Sequence, residues 1–183
     1  MTGSAANAEG WPIDPREAVE RLMAEYGSVV LKTAVFATGD RKLAEDVSQE
    51  VFVRAFKSWP NFRRESSAKT WLTRITLNVG RDLSASRVRE RPTDPALLAT
   101  AQARGPDQVA GRLDHMGVLP HLMALPAAYR QALFLHYYLD LDTKEIARAT
   151  RVAEGTARAR LHRGRRRLRE SLLKGGWNGE ATR

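Results

Sequence analysis

Twelve consecutive residues, 158–169, read RARLHRGRRRLR and carry seven arginines. Charged groups are too costly to bury unpaired, so the segment must be a surface helix with Leu161 and Leu168 turned to the core. Directly before it stand DTKEIA at 142–147, a short capped helix, and RVAEGT at 151–156, whose length suits the turn of a helix-turn-helix unit. Two helices joined this way place the second in a major groove, which gives the basic run a geometric reason. A charge run alone is more often a solvated face or a membrane-surface segment. The helix and turn in front of it move the reading to duplex DNA.

The net charge of +9 agrees, since it favours acidic partners, nucleic acid or an anionic surface. No stretch approaches the roughly 18 apolar residues that span a bilayer, so no membrane insertion is expected. The first ten residues, MTGSAANAEG, have neither the basic start nor the apolar run of a signal peptide, and the chain is expected in the cytoplasm. With no cysteine, disulfides, cysteine-ligated zinc and thiol switches are excluded. His115, His121, His136 and His162 show no ligand spacing with carboxylates, and no glycine-rich phosphate loop occurs. The expectation is a protein that is no enzyme and needs no metal or cofactor.

Apolar residues recur at helical spacing almost throughout, and no alternating strand run is flanked by turn signals. The fold class is therefore all-α, with two helical domains joined by a flexible linker. Residues 1–14 read as a disordered N-terminus. Residues 15–89 form the first domain, with stripes at Val19, Leu22, Met23 and Tyr26, at Leu43, Val47, Val51 and Ala55, and at Trp71, Leu72, Ile75, Val79 and Leu83. Residues 90–112 carry three prolines and few large apolar side chains and read as the linker. The second domain spans 113–174 and holds the helix-turn-helix; 175–183 is a flexible tail.

Within the first domain, Asp46, Gln49 and Glu50 lie at i, i+3 and i+4 and share one helix face while Val47, Val51 and Ala55 point inward. An acidic face on a basic chain invites a protein partner, although periodicity alone favours ordinary solubilising residues. The following stretch, WPNFRRESSAKTWL at 59–72, mixes aromatics, arginines and hydroxyls in a loop before a new helix. Trp59, Phe62 and Trp71 read best as core. Arg63, Arg64, Ser66, Ser67 and Lys69 do not, and such side chains suit single-stranded DNA. On the next helix Arg74, Asn78 and Arg81 form a polar stripe opposite Leu72, Ile75 and Val79, with base-reading chemistry.

Taken together, DVSQEVFVRAF, FRRESSAKTWLTRITLN, a proline-bearing linker and TKEIARATRVAEGTARARLHRGRRRL resemble, in that order, the extracytoplasmic-function group of bacterial RNA polymerase sigma factors. The likeness covers about residues 15–173. It implies that Asp46, Gln49 and Glu50 dock on the clamp helices of the largest subunit of core RNA polymerase. It implies that the loop from Phe62 to Thr70 captures a base flipped from the minus-ten element, and that the helix of Asn78 reads that element as the strands part. The minus-thirty-five element would be read as duplex promoter DNA by the C-terminal helix. The residues concerned are Thr156, Arg158, Ala159, Arg160, His162 and Arg163, with Arg166 and Arg167 beyond them. An anti-sigma factor is the further partner implied.

Departures from the family pattern carry their own expectations. Ala68 stands where an aromatic is usual, which predicts a less tightly anchored capture loop. Arg151 and Ala153 stand where the turn commonly holds Gly and Pro; a non-glycine residue in the left-handed region costs roughly 1 kcal/mol, so Arg151 is expected to adopt another conformation. Ala157 and Ala159 replace the usual Val and Ser, removing one base-edge hydroxyl. The competing reading is a helix-turn-helix transcriptional regulator that acts without replacing a sigma factor; it leaves the first domain without a role.

Overall fold

Asp14 opens the first helix, its carboxylate accepting from the backbone N–H groups of Arg16 at 2.6 Å and Glu17 at 3.3 Å, with Pro15 supplying the fixed φ suited to a first helical position. Helix α1 then runs over Pro15–Thr38 and stops at Gly39, which adopts φ 76° and donates its N–H to the Val35 carbonyl. Asp40 caps α2 (Arg41–Ser58) by accepting from Leu43 N–H. A short 3-10 turn at Trp59–Asn61 follows, then α3 (Ala68–Glu90), whose start is capped by the Ser67 hydroxyl accepting from Thr70 N–H at 3.1 Å. The second unit comprises α4 (Val118–Met123), α5 (Ala127–Tyr137), α6 (Thr143–Thr150) and α7 (Glu154–Lys174). This computed structural model describes residues 10–63, 66–90 and 117–175, and no strand forms among them.

The all-α expectation and its two helical units hold. Leu22, Val30, Val47, Val51, Leu72 and Val79 fill the space between α1, α2 and α3, while Leu119, Leu135, Ile146 and Leu161 fill the second unit. Thr33 and Thr76 are buried without loss because each hydroxyl donates to the carbonyl four residues back, at 2.7 and 2.8 Å. Gly164 interrupts the arginine run for a packing reason: a Cβ there would sit 3.2 Å from Leu133 Cγ, so its absence lets α7 press against α5.

Two expectations are corrected. Arg151 does take the left-handed conformation, with φ 56° and ψ 48°, because Val152 N–H can then donate to Ala147 O at 3.0 Å and close the end of α6 while the arginine side chain stays in water. Residues 10–14, read as disordered, are instead packed on the first unit through Trp11, which lies 5.7 Å from Trp59 between ring centroids. Residues 1–9, Arg64, the segment 91–116, which holds most of the linker and the start of the second domain, and the tail beyond Gly175 lie outside the described residues.

The two units lie against each other, α1 on α5 and α3 on α6. Phe36 stacks on Phe134 and the Lys32 ammonium donates to the Tyr138 hydroxyl at 2.6 Å. Gln131 Nε2 donates to Ala37 O at 3.1 Å. At the centre of the contact the Arg130 guanidinium is buried and occupies the space that a side chain at position 39 would need: a Cβ on Gly39 would lie 2.8 Å from Arg130 Nη2.

Candidate nucleic-acid interface

The helix-turn-helix is built from its first cap. Asp142 accepts from Glu145 N–H at 2.7 Å, and the Glu145 carboxylate accepts from Asp142 N–H at 2.9 Å, a reciprocal capping box that fixes where α6 begins. Ile146, Ala147 and Ala149 bury the inner face of α6, and the turn through Arg151 delivers α7 with Ala157, Leu161, Gly164 and Leu172 inward. At 100° per residue the opposite direction is occupied by Thr156, Ala159, Arg163 and Arg166. Thr156, His162 and Arg163 are exposed, whereas Ala159 and Arg160 are half-buried. Leu168, expected inward, is half-buried and packs on the core.

The arginines fall into groups that a count of charge does not distinguish. Arg158 is tied to Glu154 at 3.1 Å, Arg166 lies 3.6 Å from Glu170, and the Arg167 guanidinium stands 5.1 Å from the Tyr129 ring centroid. Arg160, Arg163, Arg165 and Arg169 make no ion pair among the described residues, so their charge is available to a polyanion. The exposed ion pairs are weak and yield readily to a phosphate.

In the first unit the loop root is an aromatic cluster. Trp59 lies 5.4 Å from Phe62 and 5.9 Å from Trp71, and Phe62 lies 4.6 Å from Trp71; Trp59 is core, as expected, and Phe62 and Trp71 pack on it half-buried. Ala68 is itself buried at the start of α3. Arg63 is exposed and Ser66 half-buried at the loop, while the Ser67 hydroxyl is committed to capping α3. Arg74, Asn78 and Arg81 do share a stripe on α3, and Arg81 donates to Asn78 Oδ1 at 3.3 Å. Both ends of this surface touch the second unit: Lys69 Nζ donates to Leu139 O and Arg81 Nη2 to Thr150 O, each at 3.4 Å.

On α2, Asp46 and Gln49 are exposed, but Glu50 is half-buried and holds Arg54 at 2.8 Å. Arg54 also reaches Asp82 of α3 at 2.9 Å, and the hydrogen bonds to Glu50 and then Asp82 raise its pKa above the usual arginine value. Val53 and Phe56, 45% and 42% exposed, continue the face of Asp46 and Gln49 seven residues on. The sequence reading missed these two, although the i+7 spacing was there to find them. Exposed apolar groups beside charges are the composition of a protein-binding surface.

Among the described residues no group of three or more histidine, aspartate or glutamate side chains is placed to hold a metal ion, and no helix is long and apolar enough to cross a membrane. The sequence profile of sigma-70 region 2 matches residues 22–90, and that of sigma-70 region 4 matches residues 122–168. The ECF RNA polymerase sigma factor SigL of Mycobacterium tuberculosis is 32% identical over 154 residues, covering 82% of this chain and 86% of its own. SigE of Mycolicibacterium smegmatis, also an ECF RNA polymerase sigma factor, is 32% identical over 94% of this chain, which spans 65% of that protein's length. In fold, the chain is similar to the sigma factor RpoE from Bartonella quintana, solved in complex with the anti-sigma factor NepR. The TM-score is 0.68 at 24% identity, covering 84% of this chain and 96% of that one. The chain belongs to the extracytoplasmic-function group of sigma-70-type RNA polymerase sigma factors.

Proposed function

We propose that this sigma factor directs core RNA polymerase to its promoters by reading the minus-thirty-five element as duplex with α7 and by melting and reading the minus-ten element with the loop at 62–67 and the stripe on α3. The observation that carries this reading is the placement of two separate cationic surfaces, one on each helical unit. Around Arg163 the surface is a helix face shaped for a major groove. Around Arg63, Ser66 and Asn78 it is a loop and helix beside an aromatic cluster, suited to unpaired bases. A docking role for Asp46, Gln49 and Glu50 on the polymerase clamp helices is supported by the adjoining exposed Val53 and Phe56. The family acts as a non-catalytic partner of polymerase, and no step here calls for a metal or cofactor.

An anti-sigma partner is the natural regulator, since the RpoE relative is held by NepR. A helix-turn-helix regulator that acts without replacing a sigma factor would use α6 and α7 alone and would leave the region 2 unit idle. The deciding experiment is transcription by core polymerase from a random promoter library with and without the chain. Initiation that depends on the chain, at sites sharing two spaced elements, is expected; repression of existing transcripts would support the regulator instead.

A further inference from the structure

Residues 10–14 cross the root of the loop at 62–67, and they are held there by more than one kind of contact. Trp11 stacks on Tyr26 of α1, with centroids 6.4 Å apart and planes 23° from parallel, and leans on Trp59 at 5.7 Å. The Arg21 guanidinium carbon lies 4.3 Å from the Trp11 ring centroid, and Arg21 Nη1 donates to the Gly10 carbonyl at 2.6 Å. Arg21 is itself oriented by Glu25, at 2.6 Å. From the other side, the Trp59 indole N–H donates to the Pro12 carbonyl at 3.1 Å. The segment is thus fastened at Gly10, Trp11 and Pro12 before the Asp14 cap begins α1.

Trp59 is the hub: it is 6% exposed, and its other ring contacts are Phe62, at the near end of the loop, and Trp71 in the first turn of α3. Both roots of the loop therefore rest on an indole whose remaining side is closed by Trp11. A cation over one ring and stacked aromatics behind it add attraction that plain burial does not supply. We infer that Trp11 is a positioning residue for single-strand capture: the segment ahead of α1 straps Trp59 in place and thereby sets the geometry of the loop that receives an unpaired base. This rests on the reading of that loop as the minus-ten capture site.

The test uses holoenzyme assembled from core polymerase and the full chain, and a randomised single-stranded DNA pool, read by filter retention and sequencing of the retained strands. Trp11→Ala, Trp11→Phe, Arg21→Met and Ser66→Ala are compared with the unaltered chain, and binding of the C-terminal unit's duplex element is measured in parallel. The expected result is a loss of retention of roughly tenfold for Trp11→Ala, a smaller loss for Arg21→Met, recovery by Trp11→Phe and no change in duplex binding, since losses of this size match one or two aromatic contacts. Retention by Trp11→Ala equal to the unaltered chain, with Ser66→Ala impaired, overturns the strap and leaves the loop reading standing. A Trp11→Ala defect that Trp11→Phe does not relieve, or that extends equally to duplex binding, assigns Trp11 to general stability and also overturns it. If the unaltered holoenzyme enriches no sequence, or Ser66→Ala leaves retention unchanged, the loop reading itself falls and the strap with it.

Discussion

Phe36 of α1 and Phe134 of α5 stack with ring centroids 4.2 Å apart and planes 15° from parallel, and through them the two helical units share one core. Beside this pair Arg130 is only 7% exposed and donates to Phe36 O and Met123 O at 2.9 Å and to Leu125 O at 3.1 Å, acceptors drawn from both units. Burial lowers its pKa from the usual value, but arginine retains its proton at any physiological pH. The arrangement also occupies two residues proposed for the minus-ten element, because Lys69 and Arg81 point to carbonyls of the second unit.

Promoter elements centred about 25 positions apart lie roughly 85 Å apart along a duplex, at about 3.4 Å per step. Units in van der Waals contact do not span that distance, so on the proposed reading engagement of both elements requires them to part. Arg130→Met leaves buried carbonyls without a donor at a cost of about 1–3 kcal/mol, relieved when the units separate. Small-angle scattering of the free variant should show a larger radius of gyration, and its affinity for single-stranded minus-ten DNA should rise as Lys69 and Arg81 are released. An unchanged radius would mean that Arg130 does not hold the two units together.

Docking on polymerase should depend on the face that runs from Asp46 to Phe56. Asp46→Lys removes an exposed charge and should change stability by under about 0.5 kcal/mol while weakening core polymerase binding. Glu50→Lys also breaks the pair with Arg54, a half-exposed contact worth at most about 1 kcal/mol. Val53→Asp should weaken binding with no loss of helicity. Pull-downs with intact polymerase affinity in all three would remove the docking assignment.

Ser66→Ala and Asn78→Ala should leave duplex promoter binding nearly intact and reduce strand opening, visible as weaker permanganate reactivity of unpaired thymines. Ser67→Ala is a different case: its hydroxyl caps α3, so about 1 kcal/mol of stability should go with it. A pre-melted template should restore function to the Asn78 variant if its role is opening, whereas Ser66→Ala, which weakens capture of the strand once unpaired, should stay impaired on it. Persistence of the Asn78 defect on that template would move Asn78 to a later step.

What the sequence made legible follows the periodic part of the chain. The helical stripes, the Asp142 and Glu145 cap and the inward Leu161 were all readable because each depends on neighbours within one or two turns. Contacts between distant segments were not. Phe36 lies outside the stripes that spacing singles out, and periodicity does not say that its partner is Phe134. Trp11 sits among small polar residues, and the residue it closes upon is Trp59, far along the chain. Nothing in the sequence around Arg130 marks it for burial, because only the folded contact supplies carbonyls from two units. Gly164 reads as a break in a basic run, and the close approach of Leu133 that requires it is a tertiary fact.

The arginines of α7 should divide by direction as well as by position along the helix. Along a helix Arg160 and Arg163 lie close in angle, while Arg158 points about 160° from Arg160. The structure separates the first two: Arg163 is exposed and points away from the core, while Arg160 is half-buried about 60° round the helix, toward the flank. Arg158 is occupied by Glu154. Arg163 is therefore the leading candidate for a bidentate contact to a guanine, worth about 1–3 kcal/mol of discrimination. Arg166 lies about 60° from Arg163 on the side away from Arg160, still outward but a turn later and near Glu170, and Arg165, Arg167 and Arg169 diverge to the sides, where a helix in a groove meets phosphates. Arg163→Ala should flatten preference at particular minus-thirty-five bases. Arg165→Ala and Arg169→Ala should weaken all sequences alike, each lowering the salt slope by about one because one phosphate is no longer neutralised. Arg160→Ala should fall between, with a partial loss of preference from a side chain that supports the reading face from its edge. Titrations of each variant against single-base promoter substitutions at several salt concentrations separate these outcomes. A uniform loss from Arg163→Ala with preference intact would place the reading face elsewhere on α7.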